Sequence, residues 1–193
     1  MASTANNTAN VSYGKFKSGG YFFAAPYGTT LPTDNKTALD PAFLNLGFLG
    51  DDGIVLDNSV TTSNGLDANG DTIASSAGAP TKTMAVTLRE IKEASMAAVY
   101  GSGNVTDEDG LLTVHDKGPN NGVYSVVAEI LLKDGRKDRK VIPQCSPNQL
   151  GSETINYNSL VGKPLTWAIM LDDDLGDYMV DYIDSTETEK VAG

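Results

Sequence analysis

Residues 164–171 read Pro164-Leu165-Thr166-Trp167-Ala168-Ile169-Met170-Leu171 (PLTWAIML), and their alternation decides the fold class. Leu165, Trp167, Ile169 and Leu171 fall on one face of an extended chain, and Thr166, Ala168 and Met170 on the other, which is the two-residue period of a strand. A strand this apolar belongs in the middle of a sheet. Residues 122–133 and 136–143 are two further apolar, β-branched runs, separated by Asp134-Gly135, a dipeptide suited to the positive φ values of a tight turn. They predict a long hairpin.

The same pattern, bounded by Gly, Asn and Asp clusters, recurs outward from this centre. It predicts strands at 20–25, 43–49, 53–57, 71–76, 82–88, 111–116, 153–157 and 177–183. One segment departs from it. Thr87-Leu88-Arg89-Glu90 fits a capping box, Leu88, Ile91, Ala94, Ser95 and Ala98 share one helical face, and Gly101 is placed to end the helix. The reading is therefore mainly β: an antiparallel β-sandwich or barrel with one flanking α-helix near 88–100.

At 193 residues the chain suits one domain, 13–193, preceded by a flexible polar arm at 1–12. Residues 57–81 are rich in Ser, Thr, Asn and Gly, and their first half, near 57–71, reads as a projecting loop. No apolar run approaches the roughly 18–20 residues of a spanning helix, so no membrane role is expected. The start of the chain lacks the basic and apolar blocks of a signal peptide, which leaves the N-x-S/T triplets at Asn6, Asn10, Asn35 and Asn104 as chance. The single Cys145, between Pro143 and Pro147, reads as an inert thiol in a loop.

The net charge of −11, from 25 acidic and 14 basic residues, argues against gripping nucleic acid. The charge is uneven. Residues 133–140 hold five cations, Lys133, Arg136, Lys137, Arg139 and Lys140, against two acids, so this window is +3 and the remainder is −11 − 3 = −14. A solvated hairpin tip is the plain reading, and a basic patch that docks on the acidic face of another copy is the sharper one.

Catalytic and cofactor motifs are absent. The only histidine, His115, excludes two-histidine chemistry, and no nucleophile elbow, P-loop or dinucleotide fingerprint occurs. Acidic, glycine-containing clusters occur at Asp51-Asp52-Gly53, Asp67 to Asp71, Asp107 to Gly110 and Asp172 to Asp177. Counted as a calcium hand from Asp67, position 6 is Thr72 and position 12 is Gly78; from Asp172, position 5 is Gly176, so both fail. Asp and Gly are also what turns require. A calcium-dependent β-sandwich binding or adhesion module remains the alternative function.

Three runs are more specific: Ala25-Pro26-Tyr27-Gly28-Thr29-Thr30-Leu31-Pro32-Thr33-Asp34, Ala38-Leu39-Asp40-Pro41-Ala42-Phe43, and Asn45-Leu46-Gly47-Phe48-Leu49-Gly50-Asp51-Asp52-Gly53. Together they resemble the N-terminal third of the major tail proteins, or tail tube proteins, of long non-contractile-tailed bacteriophages of the siphovirus type. The likeness covers 20–101 and continues beyond as strand pattern; a tryptophan common in the family near Ala68 is missing. It implies a non-enzymatic structural protein of the virion, assembled in the host bacterial cytoplasm, whose hexameric rings stack into a tube. It also implies partners: other copies of the chain, the tape-measure protein, and tail-tip and tail-terminator proteins, with DNA passing through unbound and no cofactor. An acidic lumen lets phosphates slide. Asp116, Glu129, Asp134 and Asp138 are the expected lumen acids, and the cations of 133–140 the expected ring-stacking patch.

Overall fold

The computed structural model describes residue 6 and residues 8–185. Eleven strands appear there: β1 (Lys15–Phe16), β2 (Phe22–Pro26), β3 (Leu44–Asn45), β4 (Leu49–Leu66), β5 (Thr72–Leu88), β6 (Val105–Glu108), β7 (Leu111–Val114), β8 (Tyr124–Leu131), β9 (Lys137–Leu150), β10 (Lys163–Ile169) and β11 (Val180–Ile183). One α-helix, α1 (Glu93–Tyr100), lies between β5 and β6. All pairings are antiparallel, and the main sheet runs β3-β2-β8-β9-β10-β5-β4, with β1 added to β8 and β11 added to β9. The strands β6 and β7 form a separate hairpin.

The alternation of 164–171 holds as far as Ile169, where the strand ends; Leu171, expected on its apolar face, is 43% exposed. In β10, Leu165, Trp167 and Ile169 are buried and Thr166 and Ala168 half-buried, and the strand lies between β9 and β5 at the middle of the sheet. Trp167 is fully enclosed and meets the Tyr124 ring edge-on at 5.4 Å. The hairpin at 122–143 also holds, as β8 and β9 joined by a 3-10 turn at Lys133–Gly135. However, β9 runs on to Leu150 and carries the fully buried Cys145 in the ladder rather than in a loop. Its prolines sit near register shifts, Pro143 close to the one against β8 and Pro147 at the one against β10, so their missing N–H groups interrupt no regular ladder. Burial pushes the Cys145 thiol far above its ordinary value, which keeps it inert.

The main sheet curls. Phe16 stacks on Tyr21 at 4.5 Å, the Tyr21 hydroxyl accepts the Leu49 N–H at 2.7 Å, and the base of β4 is thereby held against the opposite end of the sheet. The concave side encloses the larger core, from Phe22, Leu46, Met84, Leu88 and Trp167 to Ala98 and Val99 of α1. A smaller core of Ala25, Phe43, Val127 and Val141 lies on the outer face, under the segment that carries Leu31 and Leu39.

Four expectations need correction. Most of the segment 57–71 is not a loop: residues 57–66 continue β4 and, with β5, form one long hairpin whose turn is 67–71. The turn expected at 51–53 is a bulge inside β4, where the register jumps from Leu49 to Ile54. The strand expected at 153–157 is irregular chain. Finally, α1 starts at Glu93 and not after Thr87, because Leu88 is buried and paired to both Lys163 and Leu49. Sheet pairing overrides the local capping signal, and Ser95 takes over the cap: its hydroxyl accepts the Lys92 N–H at 3.1 Å and donates to the Glu90 carbonyl at 2.5 Å. Gly101 ends the helix as expected, with φ 92° and its N–H donated to Ala97. The amides of Asn120 and Asn104 satisfy the carbonyls of Ala98 and Tyr100. Of the arm at 1–12, residues 1–5 and 7 lie outside the described residues; Thr8–Asn10 form a 3-10 turn, and the Ser12 hydroxyl accepts the Lys133 N–H at 2.6 Å.

Glu90, freed from capping, lies across Gly47 instead and accepts the Phe48 N–H at 3.1 Å while pairing with Lys92 at 2.6 Å. Gly47 has φ 90°, and a Cβ added there would collide with the Glu90 side chain. Gly47→Ala should therefore lower stability by about 2–4 kcal/mol, combining left-handed strain with a forced shift of Glu90. Chemical denaturation measures this directly.

Candidate assembly surface

Beyond Asn58 and Lys82, β4 and β5 leave the body as a two-stranded ribbon, because β10 covers the outer edge of β5 only from Lys82 to Leu88. In this ribbon residues 58–66 and 72–79 are exposed on both faces, so no core supports it. It carries no charge between Asp57 and Asp67 or between Asp71 and Lys82. Ser, Thr, Ala, Asn and Gly fill it, with Val60, Leu66 and Ile73 exposed at 50%, 59% and 71%. At the tip, the Asp67 carboxylate accepts the N–H groups of Asn69 and Asp71, both at 2.8 Å, and Gly70 takes φ 85°. A two-stranded ribbon alone in water is marginal. Its open edges are also the kind that soluble monomers ordinarily blunt with charge.

The acids and cations expected at the surface are mostly elsewhere. Glu129 and Arg139, opposite each other on β8 and β9, are each 4% exposed and joined through Glu129 Oε1 at 2.6 and 2.8 Å. The remaining guanidinium nitrogen of Arg139 donates to the carbonyls of Asp34 at 2.7 Å and Thr37 at 2.9 Å. This pair fastens the 34–37 loop over the outer face of the sheet. Asp34 is in turn held down at about 2 by the Thr37 hydroxyl and by the N–H groups of Thr37 and Lys36. It stays ionised until the pH falls through that value, so its contribution to stability is present above the ordinary carboxylate range and is lost only below it.

Asp138 is buried on the opposite face of β9, with Oδ2 3.5 Å from Lys140 and Oδ1 without a hydrogen-bond partner. Burial pushes its carboxyl above the usual range against the pull of Lys140. Burial opposes the charge of Lys140 as well, yet Asp181 at 2.7 Å and Asp138 hold its ammonium above the ordinary lysine value. Glu129 and Asp138 are therefore interior to the subunit and line no surface. The same holds for Arg139, while Lys140 is tied down by acids, Arg136 and Lys137 are half-buried, and only Lys133 of the five cations is exposed. Alternation along β9 disperses what a linear count gathers into a patch. Asp116 is exposed and accepts the Gly118 N–H in a turn; the Asp134 side chain lies outside the described residues.

Apart from the bulge at 51–53, the acidic clusters lie at turns. Asp172, 4% exposed, accepts the Asp174 and Leu175 N–H groups and the Tyr27 hydroxyl, and Asp109-Gly110 provide the positive φ values of the β6–β7 hairpin. Among the described residues no group of three or more His, Cys, Asp or Glu side chains is arranged to hold a metal ion. No described helix is long and apolar enough to cross a membrane.

Two variants separate the buried charges. Glu129→Gln strands Arg139 and should cost about 3–5 kcal/mol. Asp138→Asn should be neutral or stabilising at neutral pH, because the carboxylate is the disfavoured form above its raised folded value and that penalty vanishes below the unfolded one. Melting curves at pH 4 and pH 7 check both, and the gain from Asp138→Asn should shrink at the lower pH.

Comparison with known proteins completes the site. The pattern of the family described as phage tail tube protein matches residues 5–192. No curated protein sequence matches. Among solved structures, a chain in the cryo-EM structure of the anti-feeding prophage cap (AFP tube terminating cap) aligns over 95% of this chain and 100% of its own. Its identity is 12% and its TM-score 0.42, too loose a likeness to carry an argument. With nearly its whole length inside the family pattern, this chain belongs to the phage tail tube protein family and is a structural component of a phage tail.

Proposed function

We propose that the chain polymerises with copies of itself into stacked rings, hexameric as in the siphovirus-type proteins it resembles, and that the stack is the conduit for DNA during ejection. The observation that carries this reading is the uncharged ribbon of β4 and β5. Its open edges offer main-chain N–H and C=O groups to a neighbouring copy, which supplies affinity without a preformed pocket. No other strand among the described residues pairs with the outer edge of β4 beyond the Leu49 N–H taken by Tyr21, so the same strand is open at the body and at the ribbon.

The conduit does not grip DNA. A chain at −11 repels phosphate, and of the cations in 133–140 that might oppose this, Arg139 is buried against Glu129, Lys140 is paired with Asp181, and Lys133 is the exposed one. Of the expected lumen acids, Asp116 is the one whose described side chain is free to face a channel. The tape-measure protein is the expected filling of the lumen, and tail-tip and terminator proteins the expected ends of the tube, with assembly in the host cytoplasm. Chemistry on a substrate has no part in this role.

Electron microscopy of concentrated purified protein, alone and with tail-tip partners, should show tubes of constant width. Globular monomers under every condition would contradict the proposal. Thr62→Lys with Asn64→Lys, two exposed ribbon positions, should leave the circular dichroism and melting temperature of the monomer unchanged while abolishing tubes at concentrations where the parent protein assembles.

A further inference from the structure

Two features away from the ribbon fit each other. The first is the loop 151–162. Its base is fixed by the Gly151 N–H on the Pro164 carbonyl, by Arg89 on the Leu160 carbonyl, and by the Lys163–Glu153 ion pair at 2.6 Å. A turn at Asn156 to Asn158 then lifts Tyr157 to the apex. Ile155, Tyr157 and Leu160 are 77%, 96% and 78% exposed, an apolar knob on a pinned support. Aromatic and aliphatic side chains presented in this way are the usual anchors of an interface, and pinning reduces the ordering cost of docking them.

The second is a groove of about 330 Å³ on the outer face of the sheet. Val141 and Pro143 of β9 form its floor, Leu31, Val180 and Tyr182 its walls, and Leu175 its lip. The Tyr27 hydroxyl closes one end by donating to Asp172 at 3.1 Å. Exposed Asp173, Asp174 and Asp177 surround the lip and make it strongly acidic.

We propose that the knob of Ile155, Tyr157 and Leu160 docks into this groove on a second copy of the chain. Charge selects it among the three projecting segments. The ribbon tip carries Asp67 and Asp71, and the β6–β7 turn carries Asp107, Glu108 and Asp109, so the acidic lip repels both. The loop has one acid, Glu153, and Lys163 neutralises it. The groove lies over Pro143 and the loop leaves β9 after Leu150, roughly 20 Å further along the strand, so knob and groove occupy different surfaces. Such a contact is head-to-tail and repeats around a closed ring. This rests on the self-assembly reading and names the surface that joins neighbours.

The test uses the full chain carrying Tyr157→Cys and Leu175→Cys, with Cys145 silent because it is buried. After assembly and treatment with a short bismaleimide, denaturing electrophoresis should show a ladder of covalent oligomers, and each single variant should remain monomeric. Ile155→Ser with Tyr157→Ser and Leu160→Ser should raise the critical concentration for tubes at least about tenfold, with the melting temperature unchanged. Parent tubes with no ladder, or tubes from the triple variant at the parent's concentration, overturn the docking and leave polymerisation standing. A parent chain that never assembles removes both.

Discussion

A strand edge with free N–H and C=O groups is the constraint from which the rest of this structure follows. The main sheet curls until the base of β4 meets the opposite end, but the contact is made through Phe16, Tyr21 and a single hydrogen bond to Leu49 rather than through a continuous ladder. Beyond Leu49 the edge of β4 therefore stays without a partner strand in the body and along the ribbon that extends it. Closure into a barrel would remove the edge, and so would a neighbour. The chain lacks the first solution and has the composition of the second, an uncharged run where a monomer ordinarily places lysine. Much that is costly to bury in the body is satisfied locally, from the Glu129–Arg139 pair to the carbonyls at the end of α1, although Asp138 Oδ1 and the Trp167 indole N–H are not. The open edge of β4 lies where another copy can reach it.

The central architecture was readable from sequence because its determinants are local and periodic. The alternation around Trp167 located β10, and the two apolar runs about Asp134-Gly135 located β8 and β9. Apart from the irregular chain at 153–157, the errors share one cause, which is a local signal outweighed by a partner distant in the chain. Thr87 to Glu90 spells a helix cap, yet Leu88 lies between Leu49 and Lys163 in the sheet. Residues 57–66 have the composition of a loop, and only pairing with 72–83 makes them a strand. The prolines around Cys145 end a strand on paper, but lie near irregular points of register in space.

Charge was the least legible layer. Five cations within 133–140 look like a patch in one dimension, and the pleat of β9 sends Arg139 to one face and Asp138 and Lys140 to the other. The partners that decide their roles, Glu129, Asp34 and Asp181, are contributed by β8, a loop and β11. No spacing rule anticipates a buried pair assembled from such separate segments. What survives of the charge reading is the global term, a strongly negative molecule, with the two cations at the end of the 133–140 window, Arg139 and Lys140, occupied by its own acids.

The enclosure of Trp167 has a further consequence. It is the one tryptophan in the chain, it has no exposed surface, and it lies between β9 and β5 on the concave side, away from both the ribbon and the outer groove. Its emission reports the interior of a single subunit and is blind to contacts made at the periphery. Folding and polymerisation are thus optically separable in the native protein: indole fluorescence follows the first, light scattering the second, and a change in one without the other distinguishes a damaged subunit from an intact one that has lost its neighbours.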